Sequence, residues 1–372
     1  MSTTCLRSSP VLLATLCLLA TLCLLASACD RPGLDRSASL PPPPDRSYLC
    51  LRASGPILVD GRIEEREWAS APWSEPFVDI EGLDRPPPEL NTRMRMLWDD
   101  DFLYIAAEME EPHLWATLTE RDAVIYQDDD FEVFLDPDGD THDYYELEIN
   151  VLGTVWDLML TRPYRDAGRA IDAWDMRGMR TAVLPMGTVN DPSDVDRGWT
   201  VELALPWEAI TEAAPEGRRP LPGEYWRINF SRVDWVMDTS AGGYVKSTDP
   251  ATGRALPERN WVWAPQGAVN MHMPERWGFL WFDERSELPL DEAVKWALRQ
   301  VYYAQREHRR IHGAWASGAE ALGLAAVEVL GHSIRPEIAA TPALWEAWAT
   351  VPGTDRVWHI GRYGRVWREE PR

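Results

Sequence analysis

From residue 51 to residue 283 the chain is organised by a period of two. Thr92 to Trp98 (T-R-M-R-M-L-W) alternates apolar and polar positions, Asp99 to Asp101 supply a polar turn, and Phe102 to Met109 (F-L-Y-I-A-A-E-M) returns. That pattern predicts a hairpin with one buried face. Further alternating or apolar runs begin at Phe131, Tyr144, Thr154, Trp199 and Tyr225, separated by Gly, Pro and Asp clusters with no long helical pattern between them. Runs of this length and spacing predict an all-β fold, an antiparallel, jelly-roll-like β-sandwich, rather than strand-helix-strand crossovers.

The period changes at Glu284. Val294, Ala297, Leu298, Val301 and Tyr302 recur at helical spacing with charge between them, and Gly313 supplies a stop. The segment A-E-A-L-G-L-A-A-V-E-V-L from Ala319 predicts a second short helix, and V-W-H-I-G-R-Y-G-R-V-W from Val357 predicts a hairpin turning at Gly361 to Gly364. Residues 284–372 are thus expected to form a small α+β segment, separate or packed on the sandwich.

Before residue 51 the pattern is that of a sorting signal. Arg7 precedes a short apolar run that ends in A-S-A-C-D, from Ala26 to Asp30. A basic start, a brief apolar stretch and small residues before a cut predict a signal peptide over 1–28, not a structural membrane span. The small residues lead into Cys29, which resembles a bacterial lipobox and is the expected lipidation site. Residues 29–50, with Pro41 to Pro44, read as an extended tether. Localisation follows as an expectation: exported, at the bacterial cell envelope, lipid-anchored, in a leaflet left open. Of five cysteines only Cys50 lies beyond this region, so an intrachain disulfide and a C-x-x-C-H haem attachment site are both excluded.

Composition narrows the partners. A net charge of -23, with no basic run, excludes a phosphate-backbone partner such as nucleic acid. Twenty tryptophans among 372 residues supply many large flat apolar faces, each with one hydrogen-bond donor, a chemistry suited to sugar rings. Trp115 (E-P-H-L-W-A-T) and Trp174 (D-A-W-D) lie in turn-like contexts and are expected to be exposed stacking faces, whereas Trp261, Trp263 and Trp281 alternate at strand spacing and are expected in the core. Asp136, Asp138, Asp140 and Asp143, in D-P-D-G-D-T-H-D, offer oxygen ligands of the kind calcium prefers but lack EF-hand spacing; an acidic hairpin without an ion is the alternative. Met271, His272 and Met273 raise haem ligation. Adjacent strand residues point to opposite faces, so Met271 and His272 cannot both ligate one iron, and His113 or His142 would have to supply the second bond. No G-x-S-x-G, H-E-x-x-H or Gly-rich phosphate loop occurs, and residues 284–372 are too few for a typical catalytic domain.

Five ordered motifs then carry a resemblance: I-L-V-D-G-R-I-E-E-R-E-W, M-L-W-D-D-D-F-L-Y-I-A-A-E-M, Q-D-D-D-F-E-V-F-L-D-P-D-G-D, G-W-T-V-E-L-A-L-P-W and P-E-R-W-G-F-L-W-F. Over roughly 56–283 the chain resembles family 9 carbohydrate-binding modules. The resemblance implies a β-sandwich that grips a sugar between two aromatic faces with polar groups at the rim. It places Tyr126 at one sandwiching tryptophan, Met271 and His272 near the other, and Glu148 where a polar arginine is usual, with Asn150 matching. Asp129 and Glu132 fall on the implied binding face, and Ser231 and Arg232 complete the implied set. These substitutions point to a different glycan or ligand.

The expected function is therefore non-catalytic carbohydrate binding by an envelope lipoprotein, in support of polysaccharide use. The alternatives are an envelope assembly protein that binds a protein partner through the C-terminal helices, and a haem protein. Within the site, Tyr126 and residues 270–273 are expected to face one concavity. Trp277, Phe279 and Trp281 should be core, and His272 should be a wall whose loss leaves stability nearly unchanged.

Overall fold

In a computed structural model that describes residues 44–240 and 242–369, the alternating segments form two sheets joined by one strand. The signal peptide, Cys29 and the tether up to residue 43 lie outside these residues. In the first sheet the strands lie in the order Ala170–Ile171, Val155–Leu160, Tyr144–Asn150, Asp130–Asp136, Tyr225–Asp234 and Gly278–Phe282. Arg259–Val262 flanks the far end of Tyr225–Asp234. The second sheet runs Thr92–Trp98, Phe102–Glu110, Gly198–Pro206 and Arg180–Pro185. The hairpin expected at Thr92 is present, in a register that pairs Thr92 with Met109 and Trp98 with Leu103.

Two details depart from the expected antiparallel layout. Strand Ser47–Arg52 pairs in parallel with Gly278–Phe282 through Ser47 to Cys50, then in parallel with Thr92–Trp98 through Leu51 and Arg52. It therefore belongs to both sheets. The sandwich also begins at Ser47 rather than residue 51, because Tyr48 and Cys50 are already buried in the main core.

That core lies between the sheets. Met94, Met96 and Trp98 from one sheet meet Phe131, Val133, Leu135, Leu147, Ile149, Phe230, Leu280 and Phe282 from the other. Trp261 and Trp263 are buried here, as their spacing implied. Gly278 is required by this packing, since a Cβ there would stand 2.3 Å from the Trp263 ring. Phe279 and Trp281, on the opposite face of their strand, are buried too. Tyr225 lies against both rings, at 5.5 and 4.8 Å, and the Arg227 guanidinium lies 3.9 Å from Phe279. A strand buried on both faces explains the unbroken apolar run G-F-L-W-F.

The C-terminal segment supplies part of the cover. Its helix spans Leu290–His312 and ends at Gly313, whose φ of 70° is left-handed and favours glycine. The helix packs on its own small core against a four-stranded sheet, Glu337–Ala340, Trp345–Thr350, Val357–Gly361 and Val366–Arg368. The C-terminal hairpin is thus present inside a larger sheet. The second helix is not: Ala319–Leu322 makes one 3-10 turn, Gly323 stops it at φ 71°, and Val327–Val329 continues as a strand, the conformation that β-branched valines favour.

The segment is fastened to the sandwich by polar contacts. Glu292 accepts from Tyr225 and pairs with Arg227; Tyr302 donates to Asp166 and Arg306 pairs with it. Arg165 pairs with Glu275, which also accepts from Tyr303. No helix among the described residues is long and apolar enough to cross a membrane.

Candidate functional site

Residues that alternate with the core positions of the first sheet line its other face. From Asp130–Asp136 these are Asp130, Glu132, Phe134 and Asp136, and from Tyr144–Asn150 they are Tyr144, Glu146, Glu148 and Asn150. Phe134, Tyr144, Leu158, Leu160, Met271 and Trp277 make an apolar cluster on this face. Beside it the floor turns acidic. Strand register sets Glu132 opposite both Glu148 and Ser231. One oxygen each of Asp130, Glu132 and Glu148 lie within 4.8 Å of one another.

Burial pushes Glu132 up to about 7 and holds Asp130, Glu146 and Glu148 well above the usual carboxylate range, with neighbouring carboxylates adding to the effect. Two aromatic side chains stand exposed beside this floor. Tyr126 is 41% exposed and its backbone N–H donates to Glu148 at 2.8 Å; Tyr164 is 46% exposed. Both phenols feel Glu146 and Glu148, and Tyr164 also feels Tyr126.

Tyr126, Glu132, Glu148 and Ser231 are brought together. The other residues expected at the site are placed differently. Asn150 is taken up internally: its amide donates to Leu118 and Asp128 while its oxygen accepts from Leu152 and Thr154. Arg232 lies on the opposite face of its strand, buried between Glu111 at 2.5 Å and Asp234 at 3.0 Å. Asp129 joins that group and accepts from the Trp235 backbone. Met271 is buried in the apolar cluster.

His272 is fixed by its neighbours. Its Nδ1 lies 3.0 Å from the Tyr144 hydroxyl, and its ring packs edge-on to Tyr164 at 4.5 Å. Burial, reinforced by Arg165, lowers its pKa to about 3, so the ring is neutral at pH 7. It therefore braces Tyr164 from below instead of forming a free wall.

Neither turn tryptophan is an open platform. Trp115 is only 5% exposed, because its flanking backbone is tied down by Asp196 at Leu114 and by Asn190 at Ala116. Trp174 stacks on Tyr145 at 4.8 Å, on the core side of its strand, away from Glu148. A cavity of about 660 Å³ under Leu288 and Leu330, lined by Phe279 and Trp281, includes none of the acidic floor.

The acidic hairpin brings Asp136, Asp138 and Asp140 together without Asp143. Burial raises them to about 6, 7 and 7. The group receives two arginines from the C-terminal segment: Arg365 bonds Asp140 at 2.6 Å, and Arg299 donates to Gly139 and acts on Asp136. Thr141 also donates to Gly364. As folded, the hairpin is a socket for the C-terminal segment, and its charge faces guanidinium groups.

Tyr164 and Glu146 were not singled out by sequence reasoning. The repeat E-L-E in Tyr144–Asn150 places Glu146 and Glu148 on one face, and D-x-E does the same for Asp130 and Glu132. An aromatic in the Pro-flanked R-P-Y-R-D turn was the signal for Tyr164.

Comparison with known proteins places the chain. A family model described as "Carbohydrate family 9 binding domain-like" matches residues 59–250. Among solved structures, a family 9 carbohydrate-binding module from Caldicellulosiruptor kristjanssonii in complex with cellotriose is 17% identical, over 66% of this chain and 98% of that one, with a TM-score of 0.42. The structure of a family 9 module from the same organism with glucose gives 17%, 65% and 99%, and 0.40. A Bacteroides uniformis protein gives 16%, 64% and 99%, and 0.47. No curated protein matches the chain. With the family model spanning more than half of its length and a β-sandwich beneath it, the chain belongs to the family of carbohydrate family 9 binding domain-like proteins.

Proposed function

We propose that this chain is a non-catalytic carbohydrate-binding protein, held at the bacterial envelope by lipidation of Cys29 and serving polysaccharide capture for catabolism. The observation that carries the reading is the exposed pair Tyr126 and Tyr164 beside a floor of acceptor oxygens from Glu132 and Glu148. A sugar ring needs both kinds of group. Its C–H face lies on an aromatic face while its hydroxyls donate to fixed acceptors. Membership of a carbohydrate-binding family supports the same assignment.

Glycan-array binding by the purified chain, compared with Tyr126→Ala and Tyr164→Ala, tests the binding. Both side chains are substantially exposed, so each variant should lose signal while keeping its melting temperature. Folded protein without any glycan signal would overturn the reading. Anchoring is tested separately, by incorporation of labelled fatty acid that Cys29→Ala abolishes.

A further inference from the structure

Three groups of carboxylates among the described residues come close enough to share a cation, and they differ in what neutralises them. Glu111, Asp129 and Asp234 surround Arg232, with Arg259 2.7 Å from Asp234. Asp136, Asp138 and Asp140 have Arg365 and Arg299. Asp130, Glu132 and Glu148 have no such partner. The charges acting on them and on the adjoining Glu146 are those of other carboxylates, Glu258 and Asp172 included.

The floor also holds polar atoms that nothing in the fold satisfies. Oδ2 of Asp130 and Oε2 of Glu132 are buried without a hydrogen-bond partner, and so is the indole N–H of Trp156, the residue paired with Glu148 across the strands. Ser231 stands across from Glu132, close enough to ease its ionisation yet without a well-formed hydrogen bond of its own. Buried acids with no counter-charge and with an oxygen left unsatisfied are costly in a folded protein unless something else answers them.

Among the described residues no cation faces the floor. Tyr126 and Tyr164 are neutral phenols and His272 is a neutral imidazole. The nearby ammonium of Lys246, in the short strand Val245–Lys246, is held over the Trp235 ring at 3.2 Å and bonds Gln127; its field reaches Asp128, Asp129 and Glu258.

We propose that the site takes a cationic sugar, an amino-sugar unit whose ammonium lies among Asp130, Glu132 and Glu148 while its ring rests on Tyr126 or Tyr164. The proposal rests on the carbohydrate reading above and names its substrate class. A neutral sugar could meet these oxygens only through hydroxyls and would supply no counter-charge when the acids ionise. A bare divalent ion would use the oxygens but not the two exposed rings, which attract both a sugar face and a cation. In the empty site the carboxyls hold protons, and an arriving ammonium displaces them, so binding releases protons and strengthens as pH rises from about 5 to about 7.

Calorimetric titration of the purified chain tests this with four probes: a glucosamine tetrasaccharide, its fully N-acetylated counterpart, cellotetraose, and calcium chloride alone. The expected result is that the glucosamine oligomer binds at least about tenfold more tightly than either neutral oligomer, as charge-assisted hydrogen bonds imply. Its binding should weaken with added salt and be lost in Glu132→Gln and Glu148→Gln. Heats that change with the ionisation enthalpy of the buffer, measured on the unsubstituted chain, report the proton release even if a variant fails to fold. Equal or preferential binding of a neutral oligomer overturns the amino-sugar assignment and leaves carbohydrate binding standing. Calcium binding with no response to glucosamine also overturns it, in favour of a metal site. Folded protein that binds no oligomer at all ends both readings.

Discussion

Burial and the Arg165 guanidinium keep the His272 imidazole neutral, with a pKa of about 3, while its Nδ1 is hydrogen-bonded to the Tyr144 hydroxyl. A side chain so placed contributes to the fold. His272→Ala should lower stability by about 1–3 kcal/mol, the cost of leaving a buried polar partner unsatisfied, and a denaturant titration will show it. The pH dependence has a definite sign. The unfolded chain takes up this proton near pH 6.5, whereas the folded ring refuses it down to about pH 3. The contribution is therefore full above pH 6.5 and is lost as pH falls through that window. Glu132 works in the opposite direction. Its pKa is raised from 4.5 to about 7, so its contribution is full below 4.5 and is lost as pH rises toward 7. Glu132→Gln should therefore melt higher than the parent at about pH 8 and nearly the same at about pH 4.5, because the amide cannot ionise in the buried site. Thermal scans at the two pH values decide it.

The elements divide by how much of their neighbourhood the local sequence carries. Strands with one face on the main core, such as Thr92–Trp98 and Phe102–Glu110, announce themselves by alternation. Gly278–Phe282 is apolar on both faces, and its outward face is covered by Tyr225 and Arg227, which only the strand pairing brings beside it. The composition of Ala319 to Leu330, rich in Ala, Leu and Glu, favours a helix through Val327–Val329, and only Gly323 hints that the helix stops after one turn. Within the site, Tyr126, Glu132 and Glu148 were legible from motif position. Trp115 was not, since hydrogen bonds from distant Asp196 and Asn190 side chains decide that its loop folds inward. The short turn Pro274–Arg276 and the strand after it supply a further test. Trp277 is fully buried and its indole donates to the Met271 carbonyl at 2.9 Å. Trp277→Ala should cost about 3–5 kcal/mol, the range for truncating a large core aromatic, visible as a lowered denaturation midpoint. It should also loosen the loop carrying Met271 and His272.

At the scale of the whole molecule, the sandwich and the C-terminal segment complete one another. Glu292 meets Tyr225 and Arg227, Asp166 holds Tyr302 and Arg306, and the acidic hairpin receives Arg299 and Arg365. A chain cut after Asp283 would leave Arg227 without Glu292 and return Asp136 and Asp140 to solvent without their arginines. Removing one partner of a buried ion pair costs about 3–5 kcal/mol, and this cut removes several at once. The truncated sandwich should therefore be recovered in the insoluble fraction or melt well below the full chain, which expression followed by differential scanning fluorimetry will show.

Strand Ser47–Arg52 has a mechanical consequence. It is the first element after the proline-rich segment, and its hydrogen bonds run in parallel to Gly278–Phe282 at one end and to Thr92–Trp98 at the other. A pull on the chain from its N-terminal side, against a ligand held on the first sheet, enters through this strand and acts along it. The bonds that resist lie across the direction of pull, so they must shear together instead of opening one at a time. Because the strand is shared, the load divides between both sheets at their common seam, and the carboxylates of the acidic floor, two and three strands away from Gly278–Phe282, are kept out of the line of force.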